Sequence, residues 1–222
     1  MKHLDYENWA EYIVDLSEIY LSDTSNVLEL GAGRGYISNY LKNEFGCYII
    51  SDSSFAMLSQ NEKIENLCVC DMSSLPFNKE FDLIFSIFDS VNYLITPNIF
   101  IKFLSECRDL LDPMGILTFD VSLESNSRAN IKGLNRKGFY KGIKYKQISS
   151  YDENTRIHKN IVEMIIKDEH FIETHFQHIY KFEDYFEFAE KANMKILDAY
   201  ECFSFDDATH KSERVQFVLG KV

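Results

Sequence analysis

The stretch Asn26–Leu41, NVLELGAGRGYISNYL, places three glycines at alternate positions between an apolar run and a helical pattern. A buried strand, a glycine turn and a helix in this order are typical of a nucleotide-type cofactor loop. A dinucleotide loop needs a further glycine where this chain has Tyr36 or Ser38. The glycine series instead follows an acid, Glu29, whose charge suits a cationic ligand better than a pyrophosphate.

Length and charge limit the function classes. The 222 residues suit one domain of α/β size. A net charge of −12 disfavours binding to a phosphate backbone, which requires clustered Lys and Arg. The one basic cluster, Ile131–Lys146, is interpreted as a solvated hairpin, with a nucleic-acid patch as the alternative. We expect a small-molecule substrate and no nucleic-acid partner.

Cysteine spacing and the first residues indicate a reducing compartment. The five cysteines show neither metal nor disulfide spacing. The first residues are amphipathic and acidic, unlike a signal peptide, and no apolar run is long enough to span a membrane. We expect a cytoplasmic protein, monomer or homodimer, with no bound metal and no membrane partner.

Apolar runs and helical patterns alternate through the first half of the chain. Helices are predicted over 6–20, 36–45, 53–63 and 97–112, and strands over 26–30, 47–52, 66–71, 81–88 and 115–122. This alternation predicts an α/β fold whose open, doubly wound parallel sheet carries helices on both faces.

The pattern changes after residue 122. Period-two alternation predicts antiparallel strands from Gly138 to Tyr180, including 155–166 and 170–180, joined by a turn at 167–169. A helix over 181–194 and strands over 195–205 and 214–222 follow. We predict one domain over 1–222, in which a β-rich insertion over 123–180 forms a lid on the substrate side.

Three acids end successive predicted strands. Glu29, Asp52 and Asp71 close the first, second and third strands, so parallel pairing should bring them to one edge of the sheet. Helix capping or solvation is the alternative for Asp52 and for Asp71 alone. Three such acids in succession favour a bound cofactor.

In these motifs and their order, the chain resembles the class I S-adenosylmethionine-dependent methyltransferases. The resemblance implies a Rossmann-like seven-stranded sheet in the order 3-2-1-4-5-7-6, with the last strand antiparallel and an antiparallel insertion between strand five and the last helix. It implies S-adenosylmethionine as cofactor and S-adenosylhomocysteine as product. It assigns the ribose hydroxyls to Asp52, the adenine amino group to Asp71 and an adenine ring nitrogen to the N–H of Met72. The implied cofactor-binding residues are Tyr6, Trp9, Glu29, Gly31, Ala32, Gly33, Asp52, Ser53, Asp71, Met72, Ser86 and Phe88.

Absent motifs narrow the branch that the chain resembles. Methyltransferases acting on nucleic-acid bases carry Asn/Asp-Pro-Pro-aromatic after strand four, where this chain has Phe88-Asp89-Ser90-Val91. The chain also lacks the cysteine that cytosine carbon methyltransferases use as a nucleophile and the glutamate pair of protein arginine methyltransferases. Its acidic residues do not have the spacing of the metal-dependent catechol enzymes. The resemblance therefore implies a metal-independent enzyme acting on a nitrogen or oxygen of a small molecule.

The candidate catalytic and substrate residues follow strand four or lie in the insertion. Asp89 could orient an amine or cap a turn, and Asn92 and Tyr93 follow it. Period two places Glu173, His175 and Gln177 on one face of a strand. His175 could be a general base or substrate ligand, or a solvated side chain. We predict catalytic roles for Asp89 and His175, and substrate contacts for Tyr93, Asn92 and Glu173.

Aromatic side chains near the start of the chain could cover the cofactor. Tyr6 and Trp9 lie three residues apart on one helix face, where they could anchor the core or face a sulfonium. The alternative function is a non-catalytic S-adenosylmethionine-binding or partner-binding protein. That alternative is motivated by the short lead-in before the first helix. An NAD-dependent dehydrogenase is disfavoured by the missing third glycine.

Overall fold

A computed structural model describes residues 5–167 and 169–222 of the chain. The helices are α1 Tyr6–Tyr20, α2 Ser38–Leu41, α3 Phe55–Leu58, α4 Pro97–Leu110, α5 Glu124–Leu134 and α6 Phe182–Lys191. The strands are β1 Asn26–Leu30, β2 Cys47–Asp52, β3 Leu67–Val69, β4 Phe81–Ser86, β5 Leu111–Ser122, β6 Arg136–Tyr140, β7 Ile143–Asp152, β8 Ile157–Ile166, β9 Glu169–His178, β10 Met194–Glu201 and β11 Arg214–Lys221. A short 3₁₀ turn spans Ser90–Tyr93.

The central sheet has the predicted strand order. Its seven strands run β3-β2-β1-β4-β5-β11-β10, and β11 is antiparallel to both of its neighbours. The chain leaves β1 toward β2 on one side and returns with β4 on the other. The crevice at the carboxyl ends of β1 and β4 is therefore the switch point at which such sheets bind ligands.

Apolar side chains cover both faces of this sheet. One face packs on α1, whose residues Trp9, Ile13 and Leu16 are buried against β1, β2 and β4. The other face packs on α4 and α6, where Phe100 and Tyr185 are fully buried. Two covered faces explain the continuous apolar runs of the parallel strands and confirm the doubly wound prediction.

A second, antiparallel sheet follows β5. Its four strands pair as consecutive hairpins in the order β6-β7-β8-β9, which we call the lid sheet. Strand β6 lies at its edge. The predicted turn between β8 and β9 includes Asp168, which lies outside the described residues.

Helix α5, Glu124–Leu134, lies at the start of the insertion that was predicted to be β-rich over 123–180, and it includes Ile131, where the predicted hairpin began. The stretch ESNSRANIKGL has no apolar stripe, and Ser127 is its one buried residue. Side-chain contacts hold the helix in place instead: His158 Nδ1 lies 3.0 Å from Ser127 Oγ, and Arg156 Nη1 lies 3.0 Å from Glu124 Oε2. Periodicity carries no signal for a helix that is fixed by polar tertiary contacts.

Several predicted elements are shorter in the structure. Helix α3 ends at Leu58, and the chain then turns at Asn61, whose Oδ1 accepts from Lys63 N and Ile64 N. Strands β4 and β10 end before Phe88 and Phe203, which have positive φ angles of 61° and 66°. No helix in the described part of the chain is long and apolar enough to cross a membrane.

Phe100 tests the packing on the α4 face. It is fully buried and its ring lies within 5.7 Å, centroid to centroid, of the rings of Tyr180, Tyr185 and Phe188. Phe100→Ala should lower the free energy of unfolding by about 3–5 kcal/mol in urea titrations, because it leaves a cavity. The neighbouring Ile99 is 38% exposed, so Ile99→Ala should cost less than about 1 kcal/mol. Equal losses of unfolding free energy in Phe100→Ala and Ile99→Ala would contradict this packing.

Candidate functional site

The glycine stretch forms a tight loop beneath the end of β2. Ala32 N donates to Ser51 O at 2.9 Å, and Gly33 N donates to Asp52 Oδ2 at 2.7 Å. Gly31 has a φ of 68°, and a Cβ there would lie 3.0 Å from Ser90 Cβ. The absence of a side chain at Gly31 therefore allows the loop to approach the turn after β4.

A cavity of about 350 Å³ opens above this loop. We call it the loop cavity. Its walls come from the glycine loop, α1, α3 and the turn after β4: Tyr6, Glu29, Gly31, Ala32, Gly33, Arg34, Tyr36, Ile37, Met57, Phe88 and Ser90. Five predicted cofactor residues besides Glu29 are among them.

Glu29 is a buried acid in the wall of the loop cavity, 2% exposed. Ser38 Oγ and Tyr48 OH both donate to its Oε2 at 2.6 Å. Burial raises the pKa of Glu29 to about 7, aided by the charge of Asp52, while the two hydroxyl donors oppose the rise. A cation in the cavity would favour the ionised form.

Asp52 and Asp71 both hold turns at the carboxyl edge. The half-buried Asp52 accepts from Gly33 N and, at 2.8 Å, from Ser54 N. The exposed Asp71 accepts from Ser73 N and Ser73 Oγ, each at 2.7 Å. Neither acid belongs to the wall of the loop cavity.

The other predicted cofactor residues lie around the same edge. Ser53 is exposed beside Asp52. Met72 packs close to Gly31, with its Cε 3.3 Å from where a Cβ would stand. Ser86, at the end of β4, is buried and its hydroxyl has no hydrogen-bond partner.

Aromatic rings cover one side of the loop cavity. The Tyr6 ring lies 5.0 Å from that of Tyr36 and 5.8 Å from that of Phe88. Trp9 is buried behind them, 5.0 Å from Phe88 and 4.5 Å from Phe203. Tyr6 thus reaches the cavity, whereas Trp9 supports Phe88 from the core.

The turn after β4 has a left-handed backbone at two successive residues. The φ angles are 61° at Phe88 and 50° at Asp89, a conformation that costs roughly 1–3 kcal/mol for each such residue. Phe88 lines the loop cavity, and Asp89 lines a second cavity. We call these two residues the divider turn.

Charged and polar groups hold the divider turn. Asp89 N donates to both carboxylate oxygens of Asp120, at 3.1 and 3.0 Å, and Ser122 Oγ donates to Asp89 Oδ2 at 2.8 Å. Arg214 Nη1 contacts Asp120 Oδ2, and Arg214 Nη2 lies 3.5 Å from Asp89 Oδ2. Asp120 is fully buried; burial raises its pKa to about 6, while Arg214 opposes the rise.

The second cavity, about 260 Å³, lies between the divider turn, α5 and the lid sheet. We call it the polar cavity. Most of its walls are amide, hydroxyl, imidazole or charged groups: Asp89, Ser122, Asn126, Ser127, Asn130, Leu134, His158, Asn160, Gln177, Ile179 and Arg214. Its size suits a compact ligand.

The predicted substrate residues do not line either cavity. Tyr93 OH lies 3.3 Å from His175 Nδ1, and His175 Nε2 lies 3.7 Å from Glu173 Oε2, so these three form a partly exposed cluster. Asn92 is fully buried and joins β5 to β9: it accepts from Ser122 N at 3.0 Å and donates to His178 O at 2.8 Å. With both ends of its amide engaged, Asn92 supports the turn rather than offering a group to a substrate.

Sequence reasoning missed most of the polar cavity. Arg214 carries no motif, and its partner Asp120 lies 94 residues away along the chain. Asn126 and Asn130 lie four residues apart on α5. This spacing would have indicated one polar helical face if the helix had been recognised.

The chain is similar to known methyltransferases in fold and in part of its sequence. Residues 27–115 match a family model described as a methyltransferase domain. An S-adenosylmethionine-dependent methyltransferase from Clostridium acetobutylicum ATCC 824 superposes with a TM-score of 0.85, at 23% identity, over 98% of this chain and 92% of that one. The chain therefore has the fold of this methyltransferase, and residues 27–115 match the methyltransferase domain in sequence.

Two further proteins are similar to this chain, one in its fold and one in part of its sequence. CalS10 from Micromonospora echinaspora, an amino pentose methyltransferase with S-adenosylmethionine bound, gives a TM-score of 0.73 at 15% identity over 98% of this chain and 92% of its own; at this identity the likeness concerns the fold. YqeM of Bacillus subtilis (strain 168), whose description as a methyltransferase is itself an inference, is 32% identical over 128 residues. That match covers 54% of this chain and only 50% of YqeM, about half of its length.

Among residues 5–167 and 169–222, no cluster of three or more His, Cys, Asp and Glu side chains is placed to hold a metal ion.

Glu29→Gln should change how the stability of the protein depends on pH. Burial raises the pKa of Glu29 from 4.5 to about 7, so the folded state binds this proton more tightly. The stabilisation is complete below pH 4.5 and is lost as the pH rises through 7. Across this window the wild type should lose roughly 3 kcal/mol of unfolding free energy relative to the variant. Urea titrations at several pH values between about 4 and 8 provide the measurement. If the unfolding free energies of wild type and variant changed in parallel with pH, the raised pKa of Glu29 would be contradicted.

Proposed function

We propose that the chain transfers the methyl group of S-adenosylmethionine to a nitrogen atom of a small polar molecule, with an oxygen acceptor as the alternative. One observation carries the proposal. The loop cavity and the polar cavity meet at the divider turn, where Phe88 lines the first and Asp89 lines the second. A donor and an acceptor could therefore lie on either side of one turn.

The residues of the loop cavity fit a sulfonium nucleoside. Glu29 supplies negative charge, and the aromatic ring of Tyr6 can stabilise a cation through its face. The buried hydroxyl of Ser86 lacks a partner at the end of β4, where a ligand could supply one. Asp52 and Asp71 would bind the ribose hydroxyls and the adenine amino group.

The chain would accelerate the reaction mainly by positioning. When bound, S-adenosylmethionine supplies an electrophilic methyl group. The glycine loop and Phe88 would fix the donor side, and the polar cavity would fix the acceptor side. Alignment of this kind supplies a large part of the rate of an in-line displacement.

Nitrogen is favoured as the acceptor atom by the hydrogen bonds of the polar cavity. A hydroxyl acceptor requires a base, but both ring nitrogens of His158 are engaged, Nε2 by Ser149 Oγ at 2.7 Å and Nδ1 by Ser127 Oγ at 3.0 Å. Asp89 can instead hold an ammonium group, which loses its proton to water before transfer. The amino pentose substrate named for CalS10 is consistent with this class of acceptor.

The lid sheet and α5 would close the acceptor side. His158 and Asn160 of β8 and Gln177 of β9 face the divider turn, and Gln177 Nε2 donates to Asp89 O at 3.4 Å. The lid sheet and the central sheet would then act as one functional unit over residues 1–222. In it, His175, Tyr93 and Glu173 lie at the margin of the acceptor site.

Asp52→Ala tests the donor site. Loss of a carboxylate that would accept two ribose hydroxyls should weaken S-adenosylhomocysteine binding by about 10- to 100-fold in calorimetry. Asp52→Asn should weaken it less, because the amide oxygen still accepts from the loop. Asp15→Ala, on the exposed face of α1, is the matched control. No binding to the wild-type protein, or equal binding to Asp52→Ala, would overturn the donor assignment.

Asn160→Leu tests the acceptor site. A screen of metabolite extract with labelled S-adenosylmethionine first identifies a methylated product, and labelling that depends on the protein excludes a non-catalytic role. The Asn160 Oδ1 is buried without a partner, so a substrate donor could pair with it. The variant should lower kcat/KM for the acceptor at least about tenfold and leave S-adenosylhomocysteine affinity unchanged.

Lys159→Gln supplies the control for this variant. Lys159 is adjacent to Asn160 on the same strand but lies over the ring of Phe176, on the opposite face of the lid sheet. It should retain the wild-type kcat/KM. An unchanged kcat/KM in Asn160→Leu would refute the polar cavity as the acceptor site.

A further inference from the structure

The divider turn requires support from outside its own backbone. Its two residues, Phe88 and Asp89, have the left-handed conformation that L-amino acids rarely adopt. The ladder between β4 and β5 ends at the pair Ser86 and Phe119, so strand pairing does not hold them. The conformation therefore depends on the side chains around it.

Asp120 supplies part of this support. Its carboxylate is fully buried and accepts the backbone N–H of Asp89 through both oxygens. A buried carboxylate needs a compensating charge to remain ionised and to accept both contacts. Arg214 meets that need, since its guanidinium contacts Asp120 directly.

Arg214 also reaches two other groups at the turn. It lies opposite Ser122 in the antiparallel ladder of β5 and β11. Its Nη2 atom lies 3.5 Å from Ser122 Oγ and 3.5 Å from Asp89 Oδ2. The planar fork of a guanidinium can contact several acceptors at once, whereas an ammonium group acts as a point charge.

We propose that Arg214 is a positioning residue, which acts through Asp120, Ser122 and Asp89 to hold the divider turn so that Phe88 faces the donor and Asp89 faces the acceptor. The effect of Arg214 on methyl transfer rests on the proposed function. The conformation of the turn can be measured independently of that function.

The fluorescence emission of Trp9 reports on the conformation of the divider turn. Trp9 is the one tryptophan of the chain, and its ring lies 5.0 Å from that of Phe88. Arg214→Gln should release the turn, shift the emission of Trp9 to longer wavelength and weaken S-adenosylhomocysteine binding by about 10- to 100-fold. Arg214→Lys, which retains the charge without the fork, should give intermediate values of both quantities.

Arg108→Gln is the matched control. The Arg108 side chain is 27% exposed, against 26% for Arg214. It joins α4 to the end of α6 by donating to Ala192 O at 2.7 Å, away from the divider turn. Its substitution should leave the Trp9 emission and S-adenosylhomocysteine affinity at wild-type values.

The outcomes separate this proposal from the proposed function. The role of Arg214 would be overturned by a folded Arg214→Gln protein that has the Trp9 emission and S-adenosylhomocysteine affinity of the wild type. It would also be overturned if Arg214→Lys were no closer to the wild type than Arg214→Gln in these two quantities. If Arg214→Gln does not fold, Ser122→Ala removes the hydroxyl between Arg214 and Asp89 and should shift Trp9 emission in the same direction. An unchanged Trp9 emission spectrum in Ser122→Ala would overturn the proposal. If the wild type binds no S-adenosylhomocysteine, the proposed function fails, and Trp9 emission alone decides the role of Arg214.

Discussion

The turns at the carboxyl edge of the central sheet depend on one kind of interaction, in which a carboxylate accepts a hydrogen bond from a backbone N–H group. Asp52 accepts from the glycine loop, Asp71 accepts from the turn after β3, and Asp120 accepts from the turn after β4. Turns at the end of a parallel sheet leave N–H groups that no neighbouring strand can satisfy. Acids at these positions fix the turns and also concentrate negative charge at one edge. The same residues therefore shape the crevice at the end of the sheet.

This constraint changes how the strand-end acids are understood. From the sequence, capping and ligand binding are competing interpretations of Asp52 and of Asp71. In the structure Asp52 holds the loop through Gly33 and Ser54, yet a carboxylate has about four lone-pair sites and two remain. Holding a turn and binding a ribose are therefore compatible in one side chain, and the cofactor role of Asp52 stays a prediction.

Apolar runs and apolar helix stripes in the sequence predicted the strands and helices that are buried in the central sheet and its covering layers. Strands β1 and β2 have the predicted bounds because their apolar runs lie between polar turns, and α1 was predicted from its apolar stripe. Helix α5 was missed because polar contacts with the lid sheet fix it. The loop cavity could be predicted from a glycine motif. The polar cavity could not, because Arg214 and Asp120 meet only once β5 and β11 pair.

The edge strand β6 gives the basic cluster a physical consequence that requires no ligand. An unpaired strand edge is a template on which the sheet of another molecule can extend. Here the edge carries Arg136 and Lys137, and the adjoining β7 adds Lys144 and Lys146. Two such edges would bring several like charges close together. These cations thus oppose edge-to-edge aggregation at β6.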